Sequence, residues 1–345
     1  MKKPVCVGTG LVALDVILNG NPSDQPKFFT GGSCGNVLII LSYLNWDVYP
    51  IARLGKNKAT SKLVKDIKHW NVNTDLISKS HDGSTPVIIH RILKNKHGLP
   101  IHKFEFKDPD TGSWLPSYKP VLQKDVNKIT AKQPKPTVFY FDRVTRGSIE
   151  LAKFNKTQGA LIFFEPTSIR DNKLFKECLE VSDILKFSSV RIRNYEKLFP
   201  KQQAFLEIET LAKSGLRFRY SKNKTAIKWE KLEAFKISSL IDSAGAGDWC
   251  SAGIIEKLGR GGIRALKKIK KNNVISALKY GQALGAINCC FDGARGAMYN
   301  LKNEQLDKTT FSLLIDKKKT IDFNTSSINN VNFGKQKISI ATLFK

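Results

Sequence analysis

What most restricts the fold of this chain is a rhythm. Short, almost wholly apolar runs alternate with stretches whose apolar residues recur at helical spacing. Segments 5–8, 48–54, 137–141, 160–164 and 184–187 are runs of the first kind, and 206–210 reads as a further strand. Strands that are apolar on both sides must be covered on both faces, and parallel strands need a crossover between them. The segments in between supply the crossovers. Val37, Leu38, Ile40, Leu41 and Leu44 share one helical face, as do Leu63, Val64, Ile67 and Trp70, and 148–154 and 173–179 are helical as well. The spacing predicts an α/β fold on a mostly parallel sheet.

The rhythm breaks after the second helix. Segments 87–93 and 101–106 are both extended and are joined by Lys94-Asn95-Lys96-His97-Gly98, which predicts a hairpin outside the strand–helix series. Segment 108–136 reads as a proline-bearing loop with a short helical piece, and 215–220 with 225–230 as a second hairpin. Segments 248–258 and 273–291 read as helices with small residues on their packing faces. From about Asn300 the chain turns polar and ends in a weak strand at 338–343, so 300–345 is an extension of unassigned role.

With 345 residues, 41% of them hydrophobic, the chain can bury a large core and is not a disordered polymer. No apolar run approaches the ~20 residues of a membrane-spanning helix. The start, Met1-Lys2-Lys3-Pro4, leads straight into a strand and reads as no signal peptide. Cys6, Cys34, Cys178, Cys250, Cys289 and Cys290 are scattered without a C-x-x-C, which argues against zinc or a disulfide framework and for a reducing cytoplasm. Lys and Arg number 57 against 30 Asp and Glu, a net charge of +27. Such a charge attracts nucleic acid or anionic substrates. Here the basic residues are diffuse, and the densest cluster, Lys267-Lys268-Ile269-Lys270-Lys271, has no aromatic interleaving. Lysines spread over solvated faces explain the charge better than a nucleic-acid site does.

Two glycine-rich segments carry chemistry. Asp242-Ser243-Ala244-Gly245-Ala246-Gly247-Asp248 enters a helix. Its glycines let the backbone approach a ligand, and the helix N-terminus favours an anion there. Asp248 is either a plain cap or a carboxylate placed to take a proton from an attacking hydroxyl. Gly31-Gly32-Ser33-Cys34-Gly35-Asn36 opens the first helix. It is either a turn or a hinge that closes on substrate, with Asn36 bonded to substrate hydroxyls.

Together the two segments resemble the signature pair of the PfkB/ribokinase family of carbohydrate kinases. Segment 8–15 resembles the family's first strand and its substrate-binding aspartate, and Ile51-Ala52-Arg53-Leu54-Gly55 the strand after the first helix. Asp183-Ile184-Leu185-Lys186 resembles the strand leading to the nucleotide, and 210–215 the turn that touches ATP phosphates. The resemblance spans about 4–299 and implies a kinase domain over 1–299. It implies a ribokinase-like three-layer α/β fold: a central mostly parallel sheet and a small β-rich lid from 16–30 and 83–106, hinged at Gly31-Gly32. The implied reaction moves a phosphoryl group from ATP to a hydroxyl of a sugar or nucleoside, with Asp248 as general base and Gly245, Ala246 and Gly247 stabilising the transferring group. Asp15, Gly32, Asn36 and Asp142 would hold substrate. Lys186, Ser188, Thr210, Ala212, Gly215 and Gln282 would line the nucleotide side. Mg²⁺ would accompany ATP, K⁺ would sit at Asp242 and Ser243, and a homodimer would join through the lid.

Three departures stand beside the match. The family's Asn-x-x-Glu reads Ser188-Ser189-Val190-Arg191, the glycine of its Thr-x-Gly is replaced by Ala212, and Gly55-Lys56-Asn57-Lys58-Ala59-Thr60 lacks the usual aspartates. Arg191 would then supply positive charge that Mg²⁺ otherwise brings. Two further readings stay open: a non-catalytic ligand-binding relative on the same fold and, on charge alone, a nucleic-acid-binding protein.

Overall fold

The apolar runs are strands, and their two-sided hydrophobicity is explained by where alternate residues go. The computed structural model describes residues 3–18, 26–94, 100–108, 111–223, 225, 228–238, 240–316, 323 and 340–344. The strands are β1 (Val5–Thr9), β2 (Ala13–Leu18), β3 (Lys27–Gly31), β4 (Asp47–Gly55), β5 (Ile77–Ser80), β6 (Val87–Lys94), β7 (Pro100–Glu105), β8 (Val138–Phe141), β9 (Leu161–Phe164), β10 (Ile184–Ser188), β11 (Leu206–Thr210), β12 (Leu216–Tyr220) and β13 (Glu230–Leu232). The helices are α1 (Ser33–Tyr43), α2 (Lys58–His69), α3 (Val126–Thr130), α4 (Arg146–Thr157), α5 (Asn172–Val181), α6 (Tyr195–Leu198), α7 (Ala246–Leu258), α8 (Gly262–Lys268), α9 (Lys271–Asn288), α10 (Gly296–Asn300) and α11 (Asn303–Ile315).

The main sheet runs β13-β12-β11-β10-β9-β8-β1-β4-β5. All neighbours from β11 to β5 pair in parallel, while β12 and β13 continue the edge antiparallel. Successive side chains on a strand point to opposite faces. Cys6, Val138, Tyr140, Leu161, Phe163 and Ile184 therefore enter one core with α1, α2, α7 and α9. Val7, Phe139, Phe141, Ile162, Phe164 and Leu185 enter the other with α4 and α5. These are the three layers.

The expected first hairpin forms and stays out of the main sheet. β6 and β7 pair antiparallel, and a second sheet runs β3-β2-β6-β7. Its turn, 95–99, and part of the expected lid, 19–25, lie outside the described residues. Two expectations need correction. The partner of β12 is Glu230–Leu232 rather than 225–230. The final weak strand is instead a 3₁₀ turn, Ile340–Phe344, whose Ile340 and Leu343 are buried in the larger core. The segment beyond 299 also contains α11, whose Leu306 and Leu313 enter that core.

α7 and α9 touch backbone to backbone. A Cβ added to Gly253 would lie 2.8 Å from the Gly281 Cα, one on Gly281 2.5 Å from the Cys250 carbonyl, and one on Gly285 2.7 Å from the Ala246 carbonyl. The small residues thus set the depth at which the N-terminus of α7 enters the molecule. Among the described residues no helix is long and apolar enough to cross a membrane.

Candidate active site

Parallel strands deliver their C-terminal ends to one edge of a sheet, and ligands of open α/β sheets sit there. Here that edge and the small sheet enclose a cleft of about 1330 Å³. Glu165 follows β9, Lys186 and Ser188 close β10, Thr210 ends β11, and Leu11 follows β1; all five line the cleft. It also takes in Asp15, Gly32, Asn36, Ala212, Gly215, Asp242, Ser243, Gly245, Ala246, Gly247, Asp248 and Gln282. Every candidate named from sequence is on this wall except Asp142. That residue follows β8 and lies behind the wall, 1% exposed, with Oδ1 accepting from the Leu11 N–H at 2.9 Å and Oδ2 3.2 Å from Arg143.

The turn before α7 is fixed from three sides. Gly245 has φ 71° and ψ −5°, the left-handed region that glycine tolerates, and a Cβ there would fall 1.9 Å from the Ala294 carbonyl. Asp242 accepts the Ala244 N–H (2.8 Å) on one oxygen and the Gly293 N–H (3.0 Å) on the other. The Ala246 N–H donates to the Ser243 carbonyl at 3.3 Å, and α7 carries no side-chain cap. The next N–H groups belong to a helix first turn and have no carbonyl one turn back to bond.

Asp248 lies in that first turn, half-buried, with Oδ2 accepting from Asn36 Nδ2 at 2.7 Å. Burial pushes its carboxyl up to about 7, with Glu165 adding to the effect. The Asn36 hydrogen bond and the charges of Lys186 and Arg191 oppose it. A carboxyl held near neutrality is a competent general base. Asn36, assigned from sequence to substrate, also orients this carboxylate. Its Oδ1 is buried without a partner.

Beneath the turn lies a network that sequence reasoning missed. Lys186, 2% exposed, donates Nζ to Glu165 Oε1 and, at 3.1 Å, to the Gly247 carbonyl. Glu165 Oε2 accepts from Tyr140 (2.9 Å) and from Ser251, whose hydroxyl also contacts the Gly247 carbonyl at 3.1 Å. Burial works against the Lys186 ammonium, but Glu165, Cys250 and Asp248 outweigh it and its pKa is raised. The lysine therefore stays charged under the turn. Among the residues expected to line the nucleotide, Ala212 has φ 51° and Gly215 φ 91°, and Gln282 leaves Oε1 without a partner. Arg191 is exposed on the cleft wall.

The geometry agrees with solved structures. A fructokinase from Xylella fastidiosa with bound ATP superposes with a TM-score of 0.70 at 16% identity, over 90% of this chain and 99% of that one. A nucleoside kinase from Burkholderia thailandensis in complex with inosine gives 0.64 at 14%, over 89% and 97%. A fructokinase from Vibrio cholerae O395 in fructose-, ADP- and calcium-bound form gives 0.65 at 15%, over 89% and 99%. This chain has the ribokinase-like fold. No family model matches the sequence, and the search of curated proteins finds no match. Glu165 had one sequence signal: like Asp142, it is a carboxylate directly after a fully apolar strand. Arg295, at the lid end of the cleft, had none.

Proposed function

We propose that the protein transfers the terminal phosphoryl group of ATP to a hydroxyl of a small sugar-like substrate, with Asp248 as the general base. The observation that carries this reading is one carboxylate in the first turn of α7. It is oriented by Asn36 and raised to about 7, and it lies beside the glycine turn 245–247. The ATP and fructose or inosine named for the similar structures support the choice of donor and acceptor.

In the step itself the substrate oxygen bonds to the terminal phosphorus and the bond from that phosphorus to the bridging oxygen breaks. The hydroxyl proton passes to Asp248. Little covalent work is left to the protein, so positioning and charge stabilisation dominate. The N–H groups of the α7 first turn face the transferring group, and Arg191, on the cleft wall, adds positive charge. The nucleotide lies over 210–215 and the small residues of α9. The four-stranded sheet acts as a lid over the substrate, hinged at Gly31-Gly32, and excludes water.

A divalent ion would supply charge neutralisation on the phosphates. Both Glu165 oxygens are occupied by Lys186, Tyr140 and Ser251, and among the described residues no three His, Cys, Asp or Glu side chains are grouped to hold a metal. The ion is therefore assigned to the phosphates and their water, the usual habit of Mg²⁺, and not to a protein cage. A K⁺ at Asp242 and Ser243 belongs to the same proposal; replacing K⁺ by tetramethylammonium checks it through the transfer rate.

Asp248→Asn tests the reading. The transfer rate should fall ~10²- to 10⁴-fold while ATP and sugar affinities hold. A rate within threefold of the unmodified protein reduces Asp248 to a cap. Binding of sugar or nucleotide without transfer in the unmodified protein would favour the non-catalytic relative.

A further inference from the structure

The lid end of the cleft contains a buried cation with an unused donor. Arg295 lies between α9 and α10, is 3% exposed and lines the cleft. Its Nη2 donates to the Thr30 carbonyl at 2.9 Å and to Asp66 Oδ2 at 2.8 Å. Its Nη1 has no hydrogen-bond partner. A buried donor left unsatisfied loses its hydration with nothing in return, and such groups in folded proteins usually have a partner still to come.

Asp15 stands beside it. A Cβ on Gly31 would fall 1.9 Å from Asp15 Oδ2, so the carboxylate rests over the end of β3, one residue from the Thr30 carbonyl that Arg295 holds. Burial raises Asp15, Arg295 opposes that, and Asp66 adds to it. The local charge follows from these three side chains. With Asp15 ionised, one guanidinium faces two carboxylates, so a ligand bringing another negative charge is disfavoured here. The other cations at this end do not change the balance. Arg143 is held by Asp142 at 3.2 Å, and Lys27 is exposed. His90 is buried and stacked on Phe104, with ring centroids 4.7 Å apart.

We infer that Arg295 is a substrate-specificity residue: its Nη1 donates to one oxygen of an uncharged polyol whose neighbouring hydroxyl donates to Asp15. This rests on the phosphoryl-transfer reading only for where the substrate lies. The planar fork of arginine suits the task, because Nη2 can hold the protein while Nη1 holds the ligand. A lysine ammonium has no such division.

Calorimetry on the full chain without nucleotide tests the inference with D-fructose, inosine and D-gluconate as probes. At least one of the two neutral compounds should bind, and D-gluconate should bind at least tenfold more weakly. Arg295→Lys should weaken the neutral ligand at least tenfold. In turnover, KM should rise by the same factor with kcat within threefold. D-gluconate binding most tightly, neither neutral compound binding, or an Arg295→Lys affinity within threefold of the unmodified protein would each overturn it. Should Arg295→Lys not fold, the order of the three probes on the unmodified protein decides. Neutral-sugar binding that needs Arg295 in a protein that transfers nothing from ATP would sink the kinase reading and leave this one standing.

Discussion

The two ends of the cleft are made of the same materials and finished differently. Under the glycine turn every oxygen of Glu165 has a donor, and Lys186 also reaches the Gly247 carbonyl. At the lid end the Arg295–Asp66 pair is just as buried, yet one guanidinium nitrogen has no acceptor. A saturated buried network fixes a shape, because any displacement strands a charge. An unsaturated one leaves its last bond to a ligand. The glycine-turn end therefore reads as preorganised for a step common to many substrates, and the lid end as the place where one substrate is chosen.

The largest expected effect tests the saturated end. Lys186→Met leaves the Glu165 carboxylate unpaired beneath the turn, and breaking a buried pair from one side costs about 3–5 kcal/mol. Denaturant unfolding should register that loss. Adding Glu165→Gln to it should recover at least half, since the uncompensated charge is gone. If Lys186→Met is as stable as the parent, the network is not saturated and the contrast between the two ends collapses. A smaller loss, about 1–3 kcal/mol, is expected for Gly245→Ala, which forces a side chain into a left-handed backbone against the Ala294 carbonyl.

Proton linkage sharpens the same contrast. Asp248 and Asp15, one at each end, are both raised by burial to about 7. In the folded chain each keeps a proton that the unfolded chain has already released, so stability falls as pH rises from the ordinary carboxylate range to about 7. Melting temperature should decline over that window, and Asp248→Asn or Asp15→Asn should each flatten part of the slope. Turnover should rise with pH through the same region as Asp248 becomes the base. The ends separate in their neighbours. Lys186→Met should move the rate profile to higher pH, because Lys186 favours the ionised Asp248, and should leave sugar affinity at Arg295 unchanged.

How much of this was legible in the sequence follows from how local each signal is. The strands and helices declare themselves within a few residues, and so does the turn 242–248, because glycine spacing and a following helix are neighbours in the chain. The second core-facing role of each strand is legible for the same reason: alternate residues of Phe139-Tyr140-Phe141 are apolar on both faces. The missed contacts have meaning only in three dimensions. Asn36 meets Asp248 across 212 positions, and Arg295 meets Asp66 across 229. The resemblance of 183–186 assigns Lys186 to the nucleotide side, but its partner Glu165 follows the neighbouring strand β9 and is invisible from that segment. α11 was hidden because Leu306 and Leu313 stand among polar residues, and only contact with the core of α7 and α9 makes them a face.

The smallest expected effect lies in the nucleotide turn, where two residues with positive φ invite opposite substitutions. Gly215 has φ 91° and ψ −131°, and a Cβ there would fall 2.1 Å from the Leu232 carbonyl on β13. Gly215→Ala therefore has both strain and a clash, and should be the more damaging change. Ala212 has φ 51° where the resembling motif carries glycine. A non-glycine residue in that region costs roughly 1–2 kcal/mol. Glycine removes that strain but gives the unfolded chain about 0.5–1 kcal/mol more freedom. Ala212→Gly should consequently stabilise the protein by up to about 1 kcal/mol, read as a higher denaturant midpoint with an unchanged slope. ATP affinity should stay within threefold, since the backbone path is already the one glycine prefers, and Gly215→Ala should weaken ATP while sparing sugar binding at Asp15 and Arg295. A lower midpoint for Ala212→Gly would mean that the turn does not hold Ala212 in the left-handed region, and the nucleotide end would lose its claim to be built in advance of its ligand.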